Sequence, residues 1–517
     1  MNWKIIWKSL SNSDMTNRLL AVLGIIFVFR IMATIPIPVS DPQTLRELLD
    51  TVLTAGGGSQ FLSFLNLASG GALANFSIMI VGLIPYINAS IIMQLLTRAI
   101  PKLEALNKEG EFGRKKINQI TRILTFPLAI IQSIGAIFLL RQAVASIEGG
   151  AVTDISAGVG IMEWVLMVAT LTGGSMILMW MGEQITERGV GNGISLLITA
   201  SIVSELPPTI RTLGGSIIDQ NASLDLFGRS LPINQAQLTV ALIILVFVLI
   251  LTVLVVKLNE ASKRLTVNYA KRVQGNRTYG GVTTTLPVKM ITAGVIPIIF
   301  AVAFLSIPSF AGQLLLGSNN PQWQELGARL SEWFAPPTAQ TFIEGGWTFY
   351  IYPIAYFLLV FLFTFFYTNI TFNAKEIAEN LQKQGGFIAD IRPGKATERY
   401  LSKVVNRLTL FGATALGLVA TIPIIGEVFL GNNLAIAGTS ILILVAVALE
   451  SLRKIESRAL MVTYDQYESP DFFGELGDEA GESYESDKDS KKSGMLSRFS
   501  KKKAAKNTND SSSKKKK

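Results

Sequence analysis

Residues 65–96 read LNLASGGALANFSIMIVGLIPYINASIIMQLL and join two apolar segments of unequal length. The first segment, residues 61–73, would reach only about 18 Å as a helix, which is too short to cross a bilayer core that needs about 20 residues. Ser69, Gly70 and Gly71 then provide a flexible joint before a segment that is long enough. Such short pieces are tolerated at membrane depth only when they are buried in protein or line a cavity. We therefore predict that residues 61–73 form a short re-entrant helix.

The rest of the chain alternates long apolar stretches with polar loops. Hydrophobic residues make up 49% of the 517 residues and charged residues only 16%, whereas a soluble globular protein carries about a quarter charged residues. This composition predicts an all-α polytopic membrane protein with ten transmembrane helices. The ten spans lie near residues 19–38, 74–97, 119–140, 161–181, 191–210, 236–256, 288–308, 349–369, 408–425 and 434–452.

The loops between these spans differ in charge. Three of them are densely basic, namely 98–118, 257–289 and 370–407. The alternate loops lean acidic, and they lie near 39–60, 142–160, 205–235 and 309–348. Because basic loops stay in the cytoplasm, both termini are expected to be cytoplasmic, which agrees with an even number of spans.

The charge pattern also divides the chain into regions. We expect an amphipathic N-terminal segment that lies on the membrane surface, two membrane halves, and a disordered tail that is first acidic and then rich in lysine. Their bounds are 1–18 for the segment, 19–210 and 236–452 for the halves, and 453–517 for the tail.

The absence of cysteine and histidine excludes several chemistries. Without these residues the chain has no disulfide, no thiolate nucleophile and no Cys or His metal site. It has no P-loop either, and the glycines at 189–193 lack the spacing of a dinucleotide loop. We therefore expect no enzyme activity, no cofactor and no metal, and any work driven by ATP must come from a partner.

Polar and helix-weakening residues interrupt two of the spans. Asn88, Ser90 and Gln94 follow Pro85 in the second span, and Gly294 and Pro297 lie in the seventh. Such interruptions can mark a site between two halves of a transporter-like bundle, or they can be ordinary kinks that neighbouring helices satisfy. The residues alone leave both interpretations open.

One arginine lies inside an apolar span. A charge within the membrane is a functional candidate by default. For Arg30, in the first span, we expect a structural role instead, with the guanidinium turned inward to backbone carbonyls, since no acidic residue is expected at matching depth.

Five stretches, taken in order, resemble the SecY/Sec61-alpha family of protein-conducting channels. The strongest match is residues 65–96, where the family joins its plug to its second helix. The others are RLLAVLGIIFVFRIMATIPIP at 18–38, ERGVGNGISLLI at 187–198, VNYAKRVQGNRTYGGVTTTLPVKMITAGVIPIIFA at 267–301 and GGFIADIRPGKATERYLSKVVNRLTLFGA at 385–413. The resemblance implies two inverted five-helix halves around a central pore, with residues 61–73 as the plug. It does not extend to the charged tail.

The resemblance also implies roles for individual residues. The apolar pore ring would be Leu83, Ile87, Ile194, Ile198, Val295, Ile299 and Ile443. The plug would include Phe64, Leu65, Leu67, Gly70 and Gly71, and the lateral gate would include Asn88, Ser90, Gln94 and Pro297. A motor or ribosome would dock on Lys271, Arg272, Arg277, Arg392, Pro393 and Gly394, of which the last three form a Pro-Gly turn typical of type II.

By this resemblance the chain is the central channel of the general secretory pathway in the bacterial plasma (inner) membrane. It would pass unfolded preproteins and release transmembrane segments sideways into membrane lipid. The implied partners are SecE-type and SecG-type subunits, the SecA ATPase, the ribosome, signal peptides, nascent or unfolded polypeptides and a YidC-type insertase. The alternative from the residues is an ion-coupled solute transporter with broken helices. Its weakness is the lack of acidic residues at span centres, since Glu163 and Glu183 lie at span ends.

Overall fold

A computed structural model of the chain describes the greater part of it. The described residues are 13–37, 69–73, 76–147, 161–189, 191–218, 224–226, 229–231, 234–269, 272–274, 277–279, 281, 283–318, 320–334, 336–337, 346–430 and 435–467. Phe64, Leu65, Leu67 and Lys271, which the sequence assigns to the plug and the docking loop, lie outside these ranges. Residues 18–454 form one compact unit that holds every site discussed below.

Helices dominate the described residues, and eight of those helices are long and apolar enough to cross a membrane. The prediction of an all-α membrane protein is thereby confirmed, while the count of ten spans stays a prediction. The helices are α1 (Ser13–Met32), α2 (Ile84–Ala99), α3 (Pro101–Lys108), α4 (Glu111–Ile147), α5 (Ile161–Arg188), α6 (Gly193–Ile217), α7 (Gln235–Glu260), α8 (Ile296–Leu316), α9 (Pro321–Trp333), α10 (Ile351–Thr371), α11 (Ala374–Lys383), α12 (Lys395–Leu430) and α13 (Ala435–Tyr467).

The helices pack in two groups. In the first group α2 packs on α4, α4 on α5 and α5 on α6. In the second group α8 packs on α10, α10 on α12 and α12 on α7. The groups meet on one side, where α8 packs against α2 and α4, and on the other side, where α6 packs against α7. The two groups therefore contact each other along two seams, one between α2 and α8 and the other between α6 and α7.

Two predicted spans differ in their bounds from the helices. The first was predicted as 19–38, but α1 ends at Met32, and Pro36 pairs instead with Ser77 in an isolated bridge. The second was predicted to begin at residue 74, but residues 76–83 form buried turns and α2 begins at Ile84. Positive φ angles at Phe76 (49°) and Gly82 (61°) break the helix there.

Three predicted loops contain strands that were not predicted from the sequence. The strands are β1 (Leu224–Leu226), β2 (Arg229–Leu231), β3 (Ser262–Tyr269), β4 (Arg272–Gln274), β5 (Arg277–Tyr279), β6 (Thr283–Lys289) and β7 (Gly386–Ile388). Because β6 extends to Lys289, the predicted seventh span, 288–308, was placed too early, and α8 begins at Ile296. The run Thr283-Thr284-Thr285 favours a strand, since β-branched residues suit an extended backbone.

The antiparallel sheet β6-β3-β7 joins the two basic loops into one small folded body. Val267 pairs with Ile388 across β3 and β7, and both side chains lie in a buried core with residues of α11 and α12. We call the assembly of β3, β6, β7, α11 and the start of α12 the platform. Its core contains Leu265, Val267, Val288, Ala378, Leu381, Ile388, Leu401 and Val405.

The predicted disordered tail begins too early. Helix α13 continues through residues 453–467, which the sequence analysis assigned to the tail. That segment contains Leu, Arg, Lys, Glu and Ala, which are good helix formers, so it extends the preceding helix rather than ending it. The acidic and lysine-rich blocks that follow lie outside the described residues.

Candidate functional site

Two helices from different halves begin in the same way. Residues 82–87 read GLIPYI at the start of α2, and residues 294–299 read GVIPII at the start of α8. Gly82 and Gly294 both have positive φ, 61° and 64°. In each helix a proline occupies the first turn, where its missing N–H breaks no helical hydrogen bond.

This repeat places two pairs of pore-ring candidates in equivalent positions. Leu83 and Val295 are the N-cap residues of α2 and α8. The backbone N–H of Ile87 donates to the Leu83 carbonyl at 3.0 Å, and that of Ile299 donates to the Val295 carbonyl at 3.4 Å. The sequence analysis missed this repeat, although comparing the chain with itself reveals it.

A cavity of about 320 Å³ lies between the halves. Ile87, Ile194 and Ile299, three of the seven pore-ring candidates, line it from α2, α6 and α8. The other four candidates are buried side chains that do not line this cavity; they are Leu83, Ile198, Val295 and Ile443. The cavity wall is therefore apolar where the helices of the two halves approach each other.

Charged and polar side chains line the rest of the cavity. Glu183 and Glu187 are four residues apart on α5 and so share a helix face, and Arg122 and Lys454 contribute positive charge. Arg122 binds Glu183 in a bidentate pair, with Nε at 2.7 Å from Oε1 and Nη2 at 2.6 Å from Oε2. This pair connects α4 with α5, and it places fixed charge beside an apolar constriction.

We expect this ion pair to stabilise the first half. A double-mutant cycle with Arg122→Ala and Glu183→Ala should give a coupling energy of about 1–2 kcal/mol, below the full value for charged hydrogen bonds because Arg122 is partly exposed. The measurement is denaturant unfolding in detergent. Arg329 and Glu325, an exposed pair four residues apart on α9, form the matched control, with an expected coupling of at most about 0.5 kcal/mol. Equal coupling in both cycles would contradict the prediction.

Arg30 holds the joint of the predicted plug. Its Nη1 donates to the Gly70 carbonyl at 2.8 Å and to Ser204 Oγ at 2.7 Å. The expectation that this arginine turns toward backbone carbonyl is confirmed. The expectation that no acid lies near it is wrong, because Glu205 on α6 interacts electrostatically with Arg30. The sequence analysis overlooked Glu205, although an acid inside an apolar span was the signal to find it.

The joint itself fits closely against α6. Gly70 and Gly71 have φ of 72° and 80°, angles that L side chains rarely adopt. A Cβ on Gly70 would lie 2.9 Å from Ser201 Oγ and 3.1 Å from Ser201 Cα. A Cβ on Gly71 would lie 2.5 Å from a Glu205 oxygen. Backbone conformation therefore requires glycine at both positions, and Gly70 is also required by its close contact with Ser201.

The gate candidates lie along α2 and at the start of α8. Asn88 is buried, and its Oδ1 has no hydrogen-bond partner in the structure. Ser90 and Gln94 line the cavity, and Gln94 Nε2 donates to Ser90 Oγ at 3.1 Å. Pro297 is buried in the first turn of α8. These residues lie on the two helices that form the seam between the halves.

The docking candidates lie on and beside the platform. Arg272 and Arg277 belong to the paired strands β4 and β5. The Arg392-Pro393-Gly394 turn follows β7, and Gly394 has φ of 95°, as the predicted type II turn requires. Arg392 is exposed, and its carbonyl accepts a 2.9 Å hydrogen bond from Thr397 Oγ1. Pairing of β3 with β7 brings the two predicted docking loops together.

At the base of the platform, Lys289 interacts with two charged residues of α13. Burial, and then the charge of Arg453, lower the pKa of Lys289 at the end of β6, while Glu450 acts in the opposite direction. Arg453 also donates to the Asn259 carbonyl at 2.9 Å, which ties α13 to the end of α7. Among the residues that the structure describes, no cluster of acidic side chains could hold a metal ion.

A family model described as SecY matches residues 77–452. The chain belongs to the SecY family. The protein translocase subunit SecY of Streptomyces galbus is 39% identical over 467 residues, which cover 88% of this chain and 97% of the relative. The SecY subunit of Thermus thermophilus is 38% identical over 468 residues, covering 90% and 97%.

A solved structure described as a protein conducting channel has the same fold. It superposes with a TM-score of 0.56 at 18% identity and covers 84% of this chain and 90% of its own. The resemblance stated from the five sequence stretches is therefore confirmed at the level of the SecY family and its fold. The transporter alternative receives no support from these relatives.

Proposed function

We propose that this chain forms the central channel of the Sec protein translocase and passes unfolded polypeptides between its two halves. The observation that carries the proposal is the cavity in which Ile87, Ile194 and Ile299 meet from three helices. The full set of ten spans in two inverted halves belongs to the proposal, as does the assignment of residues 61–73 as a plug. The chain itself performs no catalytic step.

The apolar ring has a simple physical role. A narrow constriction lined by aliphatic side chains loses water easily and so blocks ions. The same side chains are flexible enough to surround a moving polypeptide. The remaining ring candidates would surround the moving polypeptide from neighbouring turns; they are Leu83, Ile198, Val295 and Ile443.

The seam between α2 and α8 is the proposed lateral gate. Transfer of an apolar segment from the channel into lipid is favourable, and the gate provides the path. Asn88, whose Oδ1 is buried without a partner, favours separation of the seam, since an unsatisfied buried polar atom costs about 1–3 kcal/mol.

Partners supply the energy and complete the assembly. The chain contains no nucleotide-binding motif, so we assign ATP hydrolysis to a SecA-type motor and cotranslational driving force to the ribosome, both docked on the platform. SecE-type and SecG-type subunits would clamp the halves, and a YidC-type insertase would receive membrane segments at the gate. The basic charge of the platform supports an orientation with both termini in the cytoplasm, and we assign the chain to the bacterial inner membrane.

Photocrosslinking to a stalled secretory precursor tests the channel. Photoreactive residues at Leu83, Ile87 and Ile299 should crosslink to the mature part of the precursor. Leu249 and Leu358 are the matched controls, because both are more than half exposed on spanning helices and should crosslink to lipid instead. An engaged precursor that crosslinks from the control positions but from none of the three ring positions would overturn the pore assignment.

A further inference from the structure

The short helix α9 is fixed to the end of α8 by contact between their backbones. A Cβ on Gly312 would lie 2.7 Å from Ser331 N, and a Cβ on Gly327 would lie 2.7 Å from the Gly312 carbonyl oxygen. Side chains are therefore excluded from this contact, and α9 must move together with α8. The sequence analysis treated this region only as an acidic loop.

An apolar stripe runs along α9 beside this contact. Successive residues of an α-helix are about 100° apart, so positions spaced by three, four and three residues share one side. The stripe consists of Trp323, Leu326, Leu330 and Trp333. Trp323 and Leu326 are 50% and 44% exposed. Glu325 and Arg329, which form an exposed ion pair at 2.7 Å, flank the stripe.

The stripe continues onto the start of the next span. The ring centroid of Trp333 lies 5.9 Å from that of Trp347. Trp347 is 69% exposed and Tyr350 is 58% exposed, and both lie in the turn that leads into α10. Three of the seven tryptophans of the chain are thus collected at this level, which is the end of α8 away from the platform.

The chemistry of these side chains selects the membrane–water interface. Tryptophan and tyrosine have an apolar body and a polar tip, and they concentrate at headgroup level. Helix α9 has 13 residues and reaches only about 20 Å, so it cannot span. Helix α8 exposes the apolar side chains of Phe304, Ile307 and Leu314, and α9 begins five residues after the last residue of α8.

We propose that α9 lies in the lipid headgroup layer, with its apolar stripe against the bilayer, and that it anchors the gate helix α8 at a fixed depth. The second part rests on the proposed function, because it takes α8 as one side of the lateral gate. Opening the seam displaces α8 relative to α2 and α4, and α9 with its stripe must then move relative to the bilayer. The anchor opposes this displacement and favours the closed gate.

Site-directed spin labelling tests the position of α9, and the lack of cysteine in the chain makes single labels unambiguous. Leu326→Cys places a label on the stripe, and Ala328→Cys places the matched label about 200° away. The full-length chain is reconstituted in vesicles of phosphatidylethanolamine and phosphatidylglycerol. The Leu326 label should be accessible to oxygen and at least fivefold less accessible to a water-soluble nickel chelate than the Ala328 label.

Two outcomes would overturn the interfacial position. Equal accessibility of both labels to the nickel chelate would place α9 in water. A Leu326 label shielded from oxygen and chelate alike would mean that a protein surface, either a partner or a second copy of the chain, covers the stripe.

The anchoring role needs a separate measurement. In the double variant Trp323→Gln and Trp347→Gln, photocrosslinking of an apolar client segment to lipid at the gate should rise at least threefold. The single variant Trp164→Gln should leave this crosslinking unchanged. If crosslinking of the client segment to lipid is unchanged in the double variant, α9 does not anchor α8. Crosslinking from Ile299 to a secretory precursor is measured in the same variants. If it persists, the channel is intact and only the anchoring role is contradicted.

Discussion

Replacing Arg30 with leucine is expected to make the idle channel leak ions. The substitution removes the donor that holds the Gly70 carbonyl and Ser204 Oγ, and it leaves Glu205 without its positive neighbour. Hydrogen bonds to a charged group contribute about 1.5–3 kcal/mol, which corresponds to roughly a 10- to 100-fold shift toward a displaced joint. Conductance of vesicle-reconstituted channels without a client measures the leak.

The control for this prediction lies on the same helix. Arg18 is half-buried and lies 12 residues before Arg30, which is about 18 Å along the helix. Its Nη1 lies 3.4 Å from the Arg188 carbonyl oxygen. Because it is far from the joint, Arg18→Leu should leave the idle conductance at the wild-type level. Gly70→Ala provides an independent variant that acts on the same joint, through its positive φ and its contact with Ser201. If Arg30→Leu lowers the melting temperature without any rise in conductance, Arg30 stabilises the bundle and does not hold the plug.

The spans could be predicted from sequence because lipid imposes a simple requirement. The sixth span was predicted at 236–256, and α7 covers Gln235–Glu260. The predicted start of the second span was wrong because residues distant in sequence determine where α2 begins. Ser77 Oγ donates to the Met32 carbonyl, and Ser175 Oγ donates to the Gly82 carbonyl. These bonds satisfy a non-helical backbone that the apolar sequence would otherwise fold as helix.

The platform could not be predicted from local patterns. The pairing of Val267 with Ile388 joins segments that are separated by two membrane spans, so neither segment contains a signal for the other. Basic residues of both loops were predicted to form one docking site, but the orientation of the chain in the membrane explains their charge equally well. Only the sheet shows that β3, which leads toward the β4–β5 hairpin, and β7, which leads into the Arg392 turn, belong to one folded body.

The pore ring was accessible only by resemblance. Pairs of isoleucines four apart occur throughout an apolar chain, so spacing alone does not single out Ile87 or Ile299. The internal repeat of GLIPYI and GVIPII is a stronger signal, because it combines a positive-φ glycine with a first-turn proline in both halves. It explains physically why both helices begin beside the cavity.

Val267→Asp is expected to abolish docking of a motor ATPase while leaving the membrane helices folded. Val267 is 1% exposed in the platform core, and an unpaired buried carboxylate costs about 3–5 kcal/mol. A small three-stranded sheet with two helices has little stability to spare. Opening it separates the Arg392 turn from the β4–β5 hairpin, so both docking loops lose their common support. We expect at least a 30-fold loss of SecA affinity, measured by binding to reconstituted vesicles.

The comparison variants distinguish fold from charge. Thr285→Asp introduces the same carboxylate at an exposed position of β6 and should bind SecA within about threefold of wild type, since surface changes rarely exceed about 0.5 kcal/mol. Arg392→Glu reverses a charge on the exposed turn and should weaken binding without increasing amide exchange in β3 and β7. Rapid exchange in both strands of Val267→Asp together with wild-type affinity would show that the motor does not need a folded platform. In that case docking would depend on the basic loops alone, as flexible charged segments, and the pairing of β3 with β7 would serve only the stability of the chain.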